Sequence, residues 1–209
     1  MASIAYCITV ANELKEITRL LNFKEGIMGK LSKDDRIYVL VDEPKASKEV
    51  ESLLAQHAYY RRINSFYQVF ENDFANWKNR FFDFVTEDYI FQIDADELIS
   101  PALMENIKLV VDTNVDLYYI PRENTVEGLT LEHIQKWRWR VDEQGRVNFP
   151  DYQGRLYKNA PHIRWKNKVH EVISGHKDYA YLPDWMCLLH PKDIERQQRQ
   201  NDYYQTLDG

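Results

Sequence analysis

Tyr89-Ile90-Phe91-Gln92-Ile93-Asp94-Ala95-Asp96-Glu97 decides how this chain reads. Four of its first five residues are apolar and β-prone, with no Gly or Pro, which predicts a buried strand ending abruptly in carboxylates. Acids at a strand's carboxyl end lie where open α/β sheets bind ligands, in the crevice beyond the strand ends. Asp94 and Asp96 are two apart on extended backbone, so both side chains can point the same way and share one hard cation. Mg2+ or Mn2+ carried on a substrate diphosphate suits that pair. An Asp-x-Asp triplet alone is weak in an Asp-rich chain. Ser100-Pro101, an N-cap followed by Pro at the first helical position, strengthens it by opening a helix over 102–111.

Outward from this stretch, the pattern alternates strand and helix. Ile4–Val10 reads as a buried strand, with Asn12 as N-cap of an amphipathic helix over 13–24 carrying Leu14, Ile17, Leu20, Leu21 and Phe23. Arg36–Val41 is a second strand ending at Asp42, and Ser47 caps a helix to Gln56. A short strand is predicted over 61–65 and a helix over 73–85. Such alternation predicts parallel strands with helical crossovers. Beyond 112, Val115–Ile120 reads as a strand halted by Pro121, and 123–150 as a surface excursion with a helix near 133–139. Short strands follow at 153–157, 163–165 and 169–173, then a closing helix over 194–207. The fold class expected is α/β in one domain, 1–209, with a small antiparallel C-terminal part.

The 209 residues, 13% of them aromatic and only 7 of them Gly, exclude a disordered or low-complexity chain. With no run of 18 apolar residues and no basic leader, a soluble, cytoplasmic protein is expected. Cys7 and Cys187 sit in apolar surroundings and read as buried thiols. Net charge is −6, which argues mildly against nucleic acid. Between His133 and Lys168, however, nine Lys or Arg face three acids, alongside Trp137, Trp139 and Trp165.

Taken together, several blocks resemble the family 2 glycosyltransferases of GT-A fold. They are the opening strand running into Asn12-Glu13, Asp42 ending the second strand, Asp73-Phe74-Ala75 with Lys78-Asn79, and Asp94-Ala95-Asp96-Glu97. Arg155-Leu156-Tyr157, Val169-His170-Glu171 and His190 with the Arg- and Tyr-containing tail complete the series. Two departures are Lys78 where the family has Arg, and Glu43-Pro44-Lys45-Ala46-Ser47 in place of a Ser-Thr-Asp turn.

The resemblance implies a Rossmann-like, mostly parallel sheet flanked by helices, with a nucleotide-sugar half (1–112) and an acceptor half (113–209). It implies an inverting transfer from a nucleotide-diphosphate sugar. Val10, Asn12, Glu13, Asp42, Lys78, Asn79, Asp94, Ala95 and Arg155 would bind the donor. Asp96 and Asp94, with His170 and His190, would hold the metal. Glu171 is the first candidate for the base, with Asp151 and Glu97 as rivals. The basic, Trp-containing strip suits a glycan or other anionic acceptor, such as a phosphorylated lipopolysaccharide core; a DNA base is less favoured. A metal-dependent phosphoesterase and a non-catalytic nucleotide- or carbohydrate-binding module are the alternatives.

Overall fold

Near-continuous apolar runs along the first strands bury both of their faces, and this organises the molecule. The computed structural model describes residues 1–22, 24, 26–58 and 63–207, without the side chains of 200 and 203–207. Strands β1 (Ile4–Val10), β2 (Arg36–Asp42), β3 (Ile63–Gln68) and β4 (Tyr89–Asp94) pair in parallel in the order β3-β2-β1-β4. Ile4, Tyr6 and Ile8 of β1, with Phe91 and Ile93 of β4, face one core. There they meet Ile17 and Leu20 of α1 (Leu14–Leu20), Val50 and Leu54 of α2 (Lys48–Ala58), and Leu103 and Ile107 of α4 (Pro101–Asp112). Ala5, Cys7 and Ile90 face the other, under Trp77 of α3 (Phe74–Asn79) and Phe81. Period-two side-chain direction thus gives a helix-flanked sheet. Both cysteines are buried and unpaired, and burial raises both thiol pKa values.

The helix starts follow local chemistry. Ser100 accepts from Leu103 N and Asp73 from Asn76 N, as N-caps do. Asn12 does not cap α1: Glu13 holds that position without a side-chain cap, and its carboxylate instead accepts from Ala11 N at 2.8 Å. Helix α3 ends at Asn79 and passes into a 3-10 turn, Arg80–Asp83, so the helix predicted over 73–85 is broken. Phe23, and residues 61–62 of the predicted third strand, lie outside the described residues.

The second half departs most from expectation. After β5 (Leu98–Ile99) and α4, strand β6 (Leu117–Glu127) runs straight through Pro121 and pairs antiparallel with β7 (Arg146–Lys158). On its other side β6 meets β10 (Tyr179–Tyr181) only over Leu117–Tyr119 and β11 (Leu188–Asp193) only from Arg122. The N–H that Pro121 lacks therefore falls where no partner strand needs it. The surface excursion shrinks to 128–145, around α5 (Leu131–Trp137). Strand β7 joins β4 antiparallel, closing the large sheet as β4-β7-β6-β11-β5. A separate antiparallel pair, β8 (Arg164–Lys166) with β9 (Val172–Ser174), and a final helix, α6 (Ile194–Leu207), complete the fold. Among the described residues no helix is long and apolar enough to cross a membrane.

One buried carboxylate ties β1, β2 and α4. Asp35, 1% exposed, accepts from Ile4 N at 2.9 Å and Ser32 N at 3.0 Å and pairs with Lys108. Asp35→Ala would strand these donors, and a loss of about 2–4 kcal/mol is expected in urea denaturation. A change below about 0.5 kcal/mol would mean that the contacts are incidental.

Candidate active site

Strand β4 delivers its carboxylates into a tight turn. Glu97 N bonds Asp94 O at 2.9 Å, and Asp94 N donates to Glu97 Oε2 at 3.1 Å. Glu97 is fully buried and accepts from Arg122 Nη1 at 3.2 Å and Arg155 Nη2 at 2.9 Å. Closed from solvent, it anchors two guanidinium groups. Arg155 Nη2 also reaches Asp94 Oδ2 at 2.6 Å. Burial would lower the pKa of Arg155, but Asp94 and Glu97 raise it above the usual arginine range. Burial likewise pushes Asp94 up, and Arg155 and Lys78 more than reverse this, holding it well below the usual carboxylate range.

Two cavities meet over this turn. The first, about 650 Å3, is lined by Val10, Asn12, Glu13, Asp42, Lys78, Asp94 and Ala95, seven of the nine residues expected to bind donor. Asp42 sits at its far end, accepting from Phe70 N at 3.1 Å and facing Lys45 Nζ at 3.3 Å. Asn79 is not in the lining: its amide clamps the backbone N and O of Trp165. The second cavity, about 440 Å3, is lined by Asp151, Arg155, His170 and His190 among others. Asp94, Asp96 and Glu171 belong to both.

Glu171 precedes β9, whose far end requires Gly175. That residue has φ +95°, and a Cβ there would lie 1.8 Å from His162 O. The Glu171 carboxylate takes Lys78 Nζ at 2.6 Å on Oε1, and Lys78 lies 4.7 Å from the Trp165 ring centre. Asp151 is more heavily engaged. Its Oδ2 accepts from Arg122 Nε and Nη2 (3.0 and 2.7 Å) and Asn124 Nδ2 (3.0 Å), and its Oδ1 from Gln153 (2.7 Å). Burial raises its pKa, but Arg122 and the hydrogen bonds bring it below the ordinary value.

Asp96 Oδ2 faces His190 Nε2 at 3.3 Å, Arg196 Nη2 at 3.3 Å and Lys192 Nζ at 3.7 Å. The histidine's orientation follows from its neighbours. Asn124 spends its amide nitrogen on Asp151, so its Oδ1, 2.7 Å from His190 Nδ1, accepts a hydrogen bond from that nitrogen. A neutral His190 then turns its Nε2 lone pair toward the Asp96 carboxylate, a pair of acceptors able to share a cation, whereas a protonated one donates to Asp96 through Nε2. Asp94, by contrast, is committed to Arg155 and Lys78. His170, exposed and at φ +53°, stands at the rim of the second cavity. Among the described residues no three His, Cys, Asp or Glu converge as a complete metal cage.

The sequence reading missed Arg122, Asn124, Lys192 and Arg196. Arg122 and Asn124 share a face of β6, but Glu123 between them is charged as well, so no apolar–polar alternation marked them in the sequence. The basic strip does not form one patch. Trp165 is buried and donates to Tyr157 OH, Arg146 pairs with Asp142, and Lys158 with Asp116.

No family model matches the chain. Among solved structures it is similar to S. aureus TarS. Residues 1–349 of TarS in complex with UDP give a TM-score of 0.63 at 12% identity, over 90% of this chain and 60% of that one. The same protein in complex with UDP-GlcNAc gives 0.59 at 14%, over 91% and 58%. This chain thus spans about three fifths of the length of those structures. The likeness is one of fold, and the fold is GT-A: a large, mostly parallel sheet flanked by helices, with a small antiparallel sheet.

Glu97→Gln would leave the buried Arg155 and the partly buried Arg122 short of charge. A loss of about 3–5 kcal/mol in urea denaturation is expected; less than about 1 kcal/mol would contradict the anchoring role.

Proposed function

We propose that this chain is a metal-dependent, inverting glycosyltransferase of the family 2 type, moving a sugar from a nucleoside-diphosphate donor to an acceptor hydroxyl. The observation that carries this is the position of Glu171 on the wall shared by two cavities that meet over Asp94 and Asp96. A donor in the first cavity sets its base near Asp42 and Phe70. Its diphosphate lies toward Lys78, Arg196 and Asp96, and its anomeric carbon at the junction. An acceptor in the second cavity then approaches that carbon from the side opposite the leaving group, the geometry of a single displacement.

Lys78 holds Glu171 by Oε1, which leaves Oε2 to take the acceptor proton. The acceptor oxygen–carbon bond forms as the bond from carbon to diphosphate oxygen breaks, and the sugar inverts. Asp151 is the poorer base, since its carboxylate is already hydrogen-bonded on both oxygens and titrates below its ordinary range. Asp96 and His190 fit Mn2+ or Mg2+, which keep several coordination positions for water and substrate phosphates. Such an ion supplies positive charge against the departing diphosphate. Lys78 and Arg196 supplement it by holding phosphate oxygens.

UDP titrated by calorimetry with and without Mn2+ tests the donor site. Tight binding only with the metal is expected, and Asp96→Asn should reduce it at least about tenfold; metal-independent binding equal in both proteins contradicts the assignment. Release of nucleoside diphosphate from a panel of nucleotide sugars tests turnover. There Glu171→Gln should keep UDP affinity and lose about a hundredfold or more in kcat. If it retains full turnover while Asp151→Asn abolishes it, Asp151 is the base.

A further inference from the structure

Given the glycosyltransferase reading of the site, we infer that its acceptor is an uncharged saccharide terminus, seated with one sugar face on Trp139. Every cation lining the second cavity is already paired. Arg122 meets Asp151 and Glu97, Arg155 meets Asp94 and Glu97, and Lys192 meets Asp96. The lining places four carboxylates, Asp94, Asp96, Asp151 and Glu171, against these three. Apart from the divalent cation proposed beside Asp96, which the donor diphosphate takes up, an anionic acceptor would meet only paired Lys and Arg side chains among the described residues, and more carboxylates than cations.

What the cavity offers instead is planar amides and one indole. Asn148 Oδ1 accepts from Arg140 N at 2.9 Å, which leaves its amide nitrogen as a donor. Gln153 and Gln197 each spend the side-chain nitrogen on a neighbour, Asp151 at 2.7 Å and Asn201 at 2.9 Å, and keep Oε1 as an acceptor. Asp151 Oδ1 receives a single bond and has capacity for a second. Fixed donors and acceptors beside an aromatic face match adjacent hydroxyls and the C–H face of a sugar ring.

Trp139 is held for this task. Its N bonds Ile134 O at 3.0 Å, and the flanking Arg140 O accepts from Asn148 N at 2.8 Å, pinning the strap after α5 to the start of β7. Trp137 packs on it with ring centres 4.6 Å apart, and His133 stacks on Trp137 at 5.2 Å. The three rings are all partly exposed, and together they offer stacking surface for a chain longer than one sugar. Arg138 and Arg140 do not fill the cavity: Arg138 is an exposed C-cap residue at φ +54°, and Arg140 donates to Phe149 O.

The test uses the full chain with UDP and Mn2+. Saturation-transfer NMR is run with neutral methyl glycosides and disaccharides, and separately with glycerol phosphate and a single-stranded oligodeoxynucleotide. At least one neutral saccharide should bind, with affinity changing less than about twofold between low and high salt. Trp139→Ala should weaken it about tenfold, Trp139→Phe should restore most of the affinity, and UDP affinity should stay unchanged in both. Binding by the anionic probes alone, by no saccharide, or by saccharides indifferent to Trp139→Ala overturns the acceptor assignment while UDP binding stands. Failure of the unsubstituted protein to bind UDP, GDP or any other nucleoside diphosphate with Mn2+ overturns the glycosyltransferase reading itself.

Discussion

Glu97 carries a negative charge into the interior at the carboxyl edge of the sheet, where it persists because Arg122 and Arg155 reach it at 3.2 and 2.9 Å. Much of the site's arrangement follows from that need. The two guanidinium groups come from β6 and β7, so neutralising one carboxylate on the β4–β5 turn fixes the long antiparallel pair against the parallel half of the sheet. A one-residue slip of β6 on β7 would turn Arg122 away from Glu97 and Asp151, so the ion pairs also help to set register. Once anchored, Arg155 uses the same Nη2 to reach Asp94, and Arg122 has Nε and Nη2 for Asp151. The buried network yields less stability than specificity of position, since burying each charge costs much of what the pairing returns.

That arrangement explains what was readable from the sequence. Strands β1, β2 and β4 and helix α4 were legible because their signals are local: apolar runs, a Ser cap, a Pro at the first helical turn. Asp42, Asp94 and Asp96 were legible for the same reason, as acids at strand ends. Glu97 looked like one more acid of the motif. Its structural role depends on arginines 25 and 58 residues away, and no window of sequence contains both.

The β6–β7 pair was illegible for a different reason. Arg122, Asn124, Asp151 and Gln153 turn into the second cavity, so the inward face of this ribbon is polar and its sequence resembles a loop. Charge counted along 133–168 suggested an anionic acceptor. In space several of those cations pair with acids, cap a turn or cover aromatic rings, as Arg146 covers Phe149 at 3.8 Å and Arg164 covers Phe82 at 3.9 Å. Sequence counts charge, whereas a ligand meets only charge left uncompensated.

The proposed seat of the cation that would join the donor diphosphate to the protein is the pair Asp96 Oδ2 and His190 Nε2, 3.3 Å apart. Anomalous diffraction from crystals grown with UDP and Mn2+ locates that ion directly. The account predicts one manganese peak within about 2–2.5 Å of both atoms. A peak bound elsewhere, or UDP in the first cavity at saturating Mn2+ with no manganese beside Asp96, would contradict it.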